Sequence, residues 1–223
     1  MTLTEILGHV DHTNLSPDAG WEDIKRTVDE GIRYKTASVC IPPCYVKKSA
    51  DYAAGRTKIC TVIGFPCGYS TTSVKACEAK SAVSDGADEI DMVINIGALK
   101  DGRFAEVKDE IIKVRRACGG KILKVIIECC LLTDKEMALM CGVVAEAGAD
   151  FIKTSTGFSK GGANPHNVEI LCRNAPAGLK VKAAGGISSL NDAELFLKLG
   201  ADRLGTSRLV KIAMAENENS SAY

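Results

Sequence analysis

The sequence predicts one α/β domain, a single (β/α)8 TIM barrel, and three observations lead there. Short β-prone runs alternate with helical stripes from end to end. The tripeptide Gly-Ala-Asp recurs after helical stretches, and four consecutive strand candidates carry a charge in mid-run. The chain has 223 residues, enough for one well-buried core, and no Pro- or Ser-rich linker divides it.

The first strand candidate, residues 10–12, precedes a helical stripe at Trp21, Ile24, Val28 and Ile32. Strand candidates follow at 37–40, 59–63 and 89–94, then a stripe at Val107, Ile111, Val114 and Cys118. After the run 122–127, Thr133 with Glu136 forms a capping box ahead of Met137, Met140, Cys141 and Val144. The runs 151–154 and 180–183 come next, then a second capping box at Ser189 and Asp192, and a last strand at 203–205. Gly-Ala-Asp at 86–88, 148–150 and 200–202 reads each time as a helix end turning into a strand. Each interval between them holds two strand-plus-helix units of about 30 residues. Eight such units favour the closed barrel over a doubly wound open sheet, whose GxGxxG is missing after the first strand. Residues 1–215 are read as the barrel and 216–223 as a loose C-terminal tail.

Composition narrows the function classes. Lys and Arg total 28 against 28 Asp and Glu, and mean hydropathy is +0.04. That balance argues against nucleic acid or an anionic membrane as the main partner. No apolar run approaches the roughly 18 residues of a membrane span, and His9, Asp11 and Asn14 interrupt the first twenty residues, where a signal peptide would be apolar. The ten cysteines form no paired CxxC set, and His9, His12 and His166 show no metal-ligand spacing. Reduced, buried thiols in a cytoplasmic protein are the expected state.

In an all-parallel barrel both faces of each strand are covered, so mid-strand charges need a reason. Asp91, Lys124, Lys153 and Lys182 each alternate with apolar neighbours, which places the charged parity inside the barrel. Unpaired burial is costly, so a compensating network is expected there, towards the carboxyl ends of the strands where barrel active sites lie. Two close lysines should each disfavour the other's proton, as burial does. Lowering a lysine pKa by about 3 units raises its neutral fraction near pH 7 roughly a thousandfold. A neutral buried amine suits imine formation with a carbonyl, and Asp91 could move the protons. Strand parity does not rank Lys153 above Lys182. Gly185-Gly186 after strand seven, Gly205-Thr206-Ser207 after strand eight and Gly157 after strand six sit where barrels bind phosphate.

These residues carry a resemblance. Asp11-His12-Thr13, Gly64-Phe65-Pro66, residues 89–95, residues 124–128, residues 151–158 and residues 181–186 closely resemble the deoxyribose-phosphate aldolase family, in order and at the usual spacing. The resemblance implies a metal-independent, cofactor-free class I aldolase that cleaves 2-deoxy-D-ribose 5-phosphate into acetaldehyde and D-glyceraldehyde 3-phosphate. It implies Lys153 as the Schiff-base lysine, Lys182 as the lysine that perturbs it, and Asp91 as the proton relay. Thr156, Gly157, Gly185, Gly186, Gly205 and Ser207 would cradle the phosphate and sugar hydroxyls. Asp11 and Thr13 are expected on the substrate side or in the network, Lys124 as a supporting charge, and Cys40 at the pocket or as a plain buried thiol. His12 is expected to hydrogen-bond inside the barrel. Tyr223 is a supporting candidate because some family members end in a tyrosine on a flexible tail. The segment Ile41-Pro42-Pro43-Cys44 departs from the common pattern, which bears on the entrance. A homodimer or homotetramer is implied. The alternatives are a Schiff-base barrel aldolase for another phosphorylated sugar and a catalytically silent barrel that binds phosphate metabolites.

Overall fold

In the computed structural model, eight strands pair in sequence order, all parallel, and β1 closes on β8. Residues 1–220 are described, with side chains through residue 215. The strands are β1 (Val10–Thr13), β2 (Ser38–Ile41), β3 (Ile59–Ile63), β4 (Glu89–Val93), β5 (Ile122–Ile126), β6 (Phe151–Lys153), β7 (Lys180–Ala184) and β8 (Arg203–Thr206). Each expected run holds a strand, with ends shifted by one residue at most.

The helices that cover the barrel follow from the stripes. In α2 (Trp21–Arg33), Ile24 and Val28 are buried. In α6 (Phe104–Ala117) and α7 (Asp134–Glu146), Val107, Ile111, Val114, Met137, Met140, Cys141 and Val144 all face the strands. Both expected capping boxes form, at Thr133 and at Ser189, the second opening α9 (Leu190–Lys198). The stripes did not mark α1 (Leu3–Leu7), α3 (Val46–Ala53), α4 (Thr72–Ser84), α5 (Ile96–Lys100) or α8 (Pro165–Asn174). In α4 the cause is specific, because its inner face buries Lys75, where a stripe would show an apolar residue. Lys75 pairs with Glu110 of α6 at 2.9 Å and donates to the Gly68 carbonyl at 2.5 Å. The last helix, α10 (Leu209–Ser220), continues past residue 216, so the segment read as a tail is helical up to Ser220. Tyr223 lies outside the described residues. Among the described residues no helix is long and apolar enough to cross a membrane.

The three Gly-Ala-Asp tripeptides perform one job at the amino-terminal end of the barrel. Gly86, Gly148 and Gly200 have φ of +102°, +78° and +107°, the left-handed region where glycine ends a helix without strain. The alanines Ala87, Ala149 and Ala201 are buried behind them. The carboxylates then reach back to the strand before. Asp88 accepts from the N–H of Ile59 at 3.1 Å, Asp150 from Leu123 at 2.8 Å, and Asp202 from Val181 at 2.9 Å. The repeat thus clamps β4, β6 and β8 to β3, β5 and β7, which accounts for its two-unit spacing.

The apolar core lies between the strands and the helices, with Ile90, Met92, Leu123, Val125, Ile152 and Val181 facing outward. The opposite parity fills the barrel and is largely polar. The loop after β3 is held by close backbone packing. A Cβ on Gly68, where φ is +75°, would lie 2.0 Å from the Ile94 carbonyl oxygen, whereas Gly102, with φ +72°, has open space. Gly68→Ala should therefore cost about 3 kcal/mol and Gly102→Ala only about 1 kcal/mol, the left-handed penalty alone, as measured by denaturant midpoints at constant slope.

Candidate active site

Strand register brings the charged parity together. Asp91 pairs with Lys124 across β4 and β5, and Lys153 with Lys182 across β6 and β7. The Asp91 carboxylate collects all three lysines: Oδ2 lies 2.7 Å from both Lys153 Nζ and Lys182 Nζ, and Oδ1 lies 2.7 Å from Lys124 Nζ. Asp11 extends the network through Lys182, Arg203 at 2.5 Å, and the Ser38 hydroxyl, which donates at 2.7 Å. Glu89 completes it, 2.6 Å from Lys124 and 3.0 Å from Arg203. Four cations therefore face three carboxylates in a space where Asp11, Asp91, Lys124 and Lys182 are fully buried.

These neighbours set the protonation states. Burial opposes the charge of Asp91, but Lys124, Lys153 and Lys182 outweigh it and hold the carboxyl well below the usual range. Asp11 is likewise held low against burial, by Lys124, Lys182 and Arg203. The expected mutual loosening of the two lysines fails at Lys182. Burial and Lys124 do disfavour its charge, yet Asp11 and Asp91 prevail and push it above the ordinary lysine range. Lys124 is raised well above that range for the same reason. Lys182 is thus a firmly charged ammonium, and Asp91 is a carboxylate bridging it to Lys153.

A cavity of about 640 Å³ opens over the carboxyl ends of the strands. Of the network only Lys153 lines it; Lys124 and Lys182 lie beneath. Thr13, Thr156, Gly157, Gly185, Gly186, Gly205 and Ser207 line the same cavity. Gly157, Gly185 and Gly186 have φ of +84°, +79° and +78°, and a Cβ on Gly162 would come within 2.4 Å of Gly185, so two glycine loops interlock here. The N–H and hydroxyl of Thr156 both donate to Glu128, the hydroxyl at 2.5 Å, so this residue shapes the loop as well as lining the wall.

Other candidates sit differently. Asp11 belongs to the network and does not line the cavity. Cys40 is a buried thiol packed with Cys60 and Val62, away from the cavity lining. His12 lies on the outward parity of β1, so its Nε2 meets Glu30 of α2 at 2.7 Å instead of bonding inside the barrel. Pro42, Pro43 and Cys44 line a second cavity of about 280 Å³ with Val62 and Phe65, and Leu15 and Ser16 border both. Phe65 and Phe158 meet edge to face at 5.3 Å.

Four functional neighbours escaped the sequence reading. Glu89 shares the inward parity of Asp91, which was signal enough; Arg203 opens its strand and so resembled a solvent-facing end. Cys60 is inward too, with its thiol 3.2 Å from Asp91 and from Lys124, and burial pushes it well above the usual thiol range. Glu128 is buried with φ +56°, a local feature that the apolar run before it does not signal. Cys40, Cys60 and Asp91, and separately Asp11, Cys60 and Glu89, place potential metal donors within 4.8 Å of one another. Each carboxylate already meets one or more ammonium or guanidinium groups, so a cation there would have to displace lysines. The chemistry favoured is that of an amine beside a carboxylate, open to a cavity lined by glycines.

The sequence model of the DeoC/LacD family of aldolases matches residues 6–218. The chain belongs to this aldolase family. A deoxyribose-phosphate aldolase of Streptococcus pyogenes is 53% identical over 223 residues, covering all of both chains, and one of Streptococcus agalactiae is 52% identical over the same span. The solved tetrameric deoxyribose phosphate aldolase of Aeropyrum pernix superposes with a TM-score of 0.90 at 35% identity, covering 97% of this chain and 92% of that one.

The aldolase's buried network sets its response to pH. Asp11 and Asp91 are depressed, so their stabilisation is fully present above the unfolded carboxylate value of about 3.9 and is lost as pH falls below it. Lys124 and Lys182 are raised, so theirs is present below about 10.4 and is lost as pH climbs through their folded values. Melting temperature should accordingly decline steeply below about pH 4. Asp91→Asn should lower stability near neutral pH by about 3–5 kcal/mol and flatten that acid limb, because three ammonium groups lose their shared partner.

Proposed function

We propose that this chain is a class I aldolase that reversibly cleaves 2-deoxy-D-ribose 5-phosphate into acetaldehyde and D-glyceraldehyde 3-phosphate through an imine on Lys153. The observation that carries the reading is that Lys153 alone joins the buried network to the open cavity. The names of the Streptococcus relatives support the substrate, at about half identity over the full length.

The amine of Lys153 attacks C1 of the open-chain sugar, and loss of water leaves a protonated imine. That imine withdraws electrons from C2, so the C2–C3 bond breaks as the C3 hydroxyl gives up its proton. D-Glyceraldehyde 3-phosphate leaves, and the enamine takes a proton at C2. Water then adds to the imine carbon and releases acetaldehyde. Asp91 Oδ2, 2.7 Å from each of two amines, exchanges a proton with Lys153 while the ammonium of Lys182 stays beside it. Lys182 keeps that carboxylate charged and ready to accept. The electron sink is the imine itself, so EDTA should leave turnover unchanged.

A homo-oligomer fits the reading, given the tetrameric relative, and a cytoplasmic setting fits ten free thiols. The decisive experiment is borohydride reduction in the presence of acetaldehyde, followed by peptide mass mapping. Label should fall on Lys153; label confined to Lys182, or none, would falsify the assignment. Lys153→Ala should reduce cleavage by at least roughly 10³-fold, and comparison with ribose 5-phosphate and fructose phosphates should show preference for the 2-deoxy sugar.

A further inference from the structure

We infer that Arg208 and Lys211 supply the positive charge that recognises the substrate phosphate, a role that neutral glycine loops cannot fill; this inference rests on the phosphorylated substrate proposed above. A phosphate monoester carries about −1.5 to −2 charge near neutral pH. The candidate phosphate residues Gly157, Gly185, Gly186, Gly205 and Ser207 offer only neutral donors. The side chains lining the cavity that can carry charge are His12, Glu30, Lys153, Arg208 and Lys211. Glu30 and His12 face each other at 2.7 Å, and Lys153 is bound to Asp91. In the reaction Lys153 is also bonded to C1, the far end of the substrate. Arg208 and Lys211 are what is left to meet the dianion.

Their setting suits that role. Arg208 directly precedes α10 and Lys211 lies in its first turn, three residues on and so on the same face. Among the described residues, neither side chain has a carboxylate within ion-pair distance. Many exposed cations elsewhere do have one, including Lys47, Lys100, Lys113, Arg173 and Lys198. Two cations at a helix N-terminus also oppose the helix dipole, and the first turn of α10 contains no acidic residue to offset them. An anion docked in the cavity would relieve both. The backbone of Arg208 is tied to the glycine loop itself: its N–H donates to the Thr206 hydroxyl at 3.0 Å, and that hydroxyl donates to the Ile187 carbonyl at 2.9 Å, one residue after Gly185-Gly186. The guanidinium can hold two phosphate oxygens at once, whereas Lys211 acts as a point charge, more sensitive to salt.

The test compares 2-deoxyribose 5-phosphate with unphosphorylated 2-deoxyribose in the full chain. Arg208→Ala should raise KM for the phosphorylated sugar by roughly 10- to 100-fold. Its kcat should stay within about twofold, and kcat/KM for the unphosphorylated sugar should not change. Lys211→Ala should raise KM by only a few-fold at low ionic strength, an effect that fades in high salt. Arg208→Lys should recover part of the loss. Lys160→Ala, at an exposed cation on the loop between β6 and α8 but outside the cavity, should change nothing. Unchanged KM in the double variant Arg208→Ala, Lys211→Ala would overturn the inference, as would equal losses on both sugars, which would mean a reshaped cavity. Calorimetric titration with inorganic phosphate separates the two proposals. A native chain that cleaves neither sugar yet binds phosphate, where the double variant does not, would sink the assigned reaction and leave these two cations standing.

Discussion

One carboxylate, Asp91, is what the interior of this barrel is built around. Three lysines converge on its two oxygens, and every other buried charge in the barrel serves to balance that convergence. Removing charges from water costs several kcal/mol per ion unless geometry and partners repay it. Here they are repaid by sharing: Asp11, Glu89 and Asp91 cover Lys124, Lys182 and Arg203, so each of these three cations meets two or more carboxylates. Lys153 is the exception. Among the described residues it has a single carboxylate contact, to an oxygen it shares with Lys182, and it is the member that reaches the cavity. The amine that reaches the cavity is therefore the one least enclosed by negative charge.

The two ends of the barrel divide the work along lines set by strand direction. At the amino-terminal end, the Gly-Ala-Asp clamps spend carboxylates on backbone N–H groups and fix strand register. At the carboxyl end, glycines with positive φ leave backbone close to the cavity. Register is the link between them. A slip of one residue would turn Lys153 or Asp91 outward into the apolar layer, so the clamps at one end hold the lysine–aspartate network at the other.

Much of this was legible in the sequence because β structure has a period of two. Alternation alone placed Asp91, Lys124, Lys153 and Lys182 in one space, and the structure brings them within hydrogen-bond distance. What alternation could not supply was the sign of the electrostatics. That depends on Asp11, Glu89 and Arg203, two of which sit at strand ends where a charge ordinarily faces solvent. Weighing only burial and the neighbouring lysine predicts a loosened Lys182; with Asp11 and Asp91 weighed in, it is held charged. The helices show the same limit. Apolar stripes marked α2, α6 and α7, but α4 buries a lysine whose partner lies on another helix, a relation no local window contains.

The loops above the barrel are anchored by side chains outside the Asp91 network, and this separates what the strands decide from what the loops decide. Glu128 draws in the N–H and hydroxyl of Thr156, Thr206 bonds across to the loop after β7, and Lys75 with Glu110 fixes the loop after β3 through the Gly68 carbonyl. Each anchor joins a loop to a neighbouring element, so the cavity wall is positioned independently of the buried network. The imine chemistry proposed above rests on Lys153, Lys182 and Asp91, all on strands. In the same proposal, selection of a substrate by its distal end is left to the loops and to the start of α10. A change there can alter which sugar is held while leaving the amine and its proton relay in place.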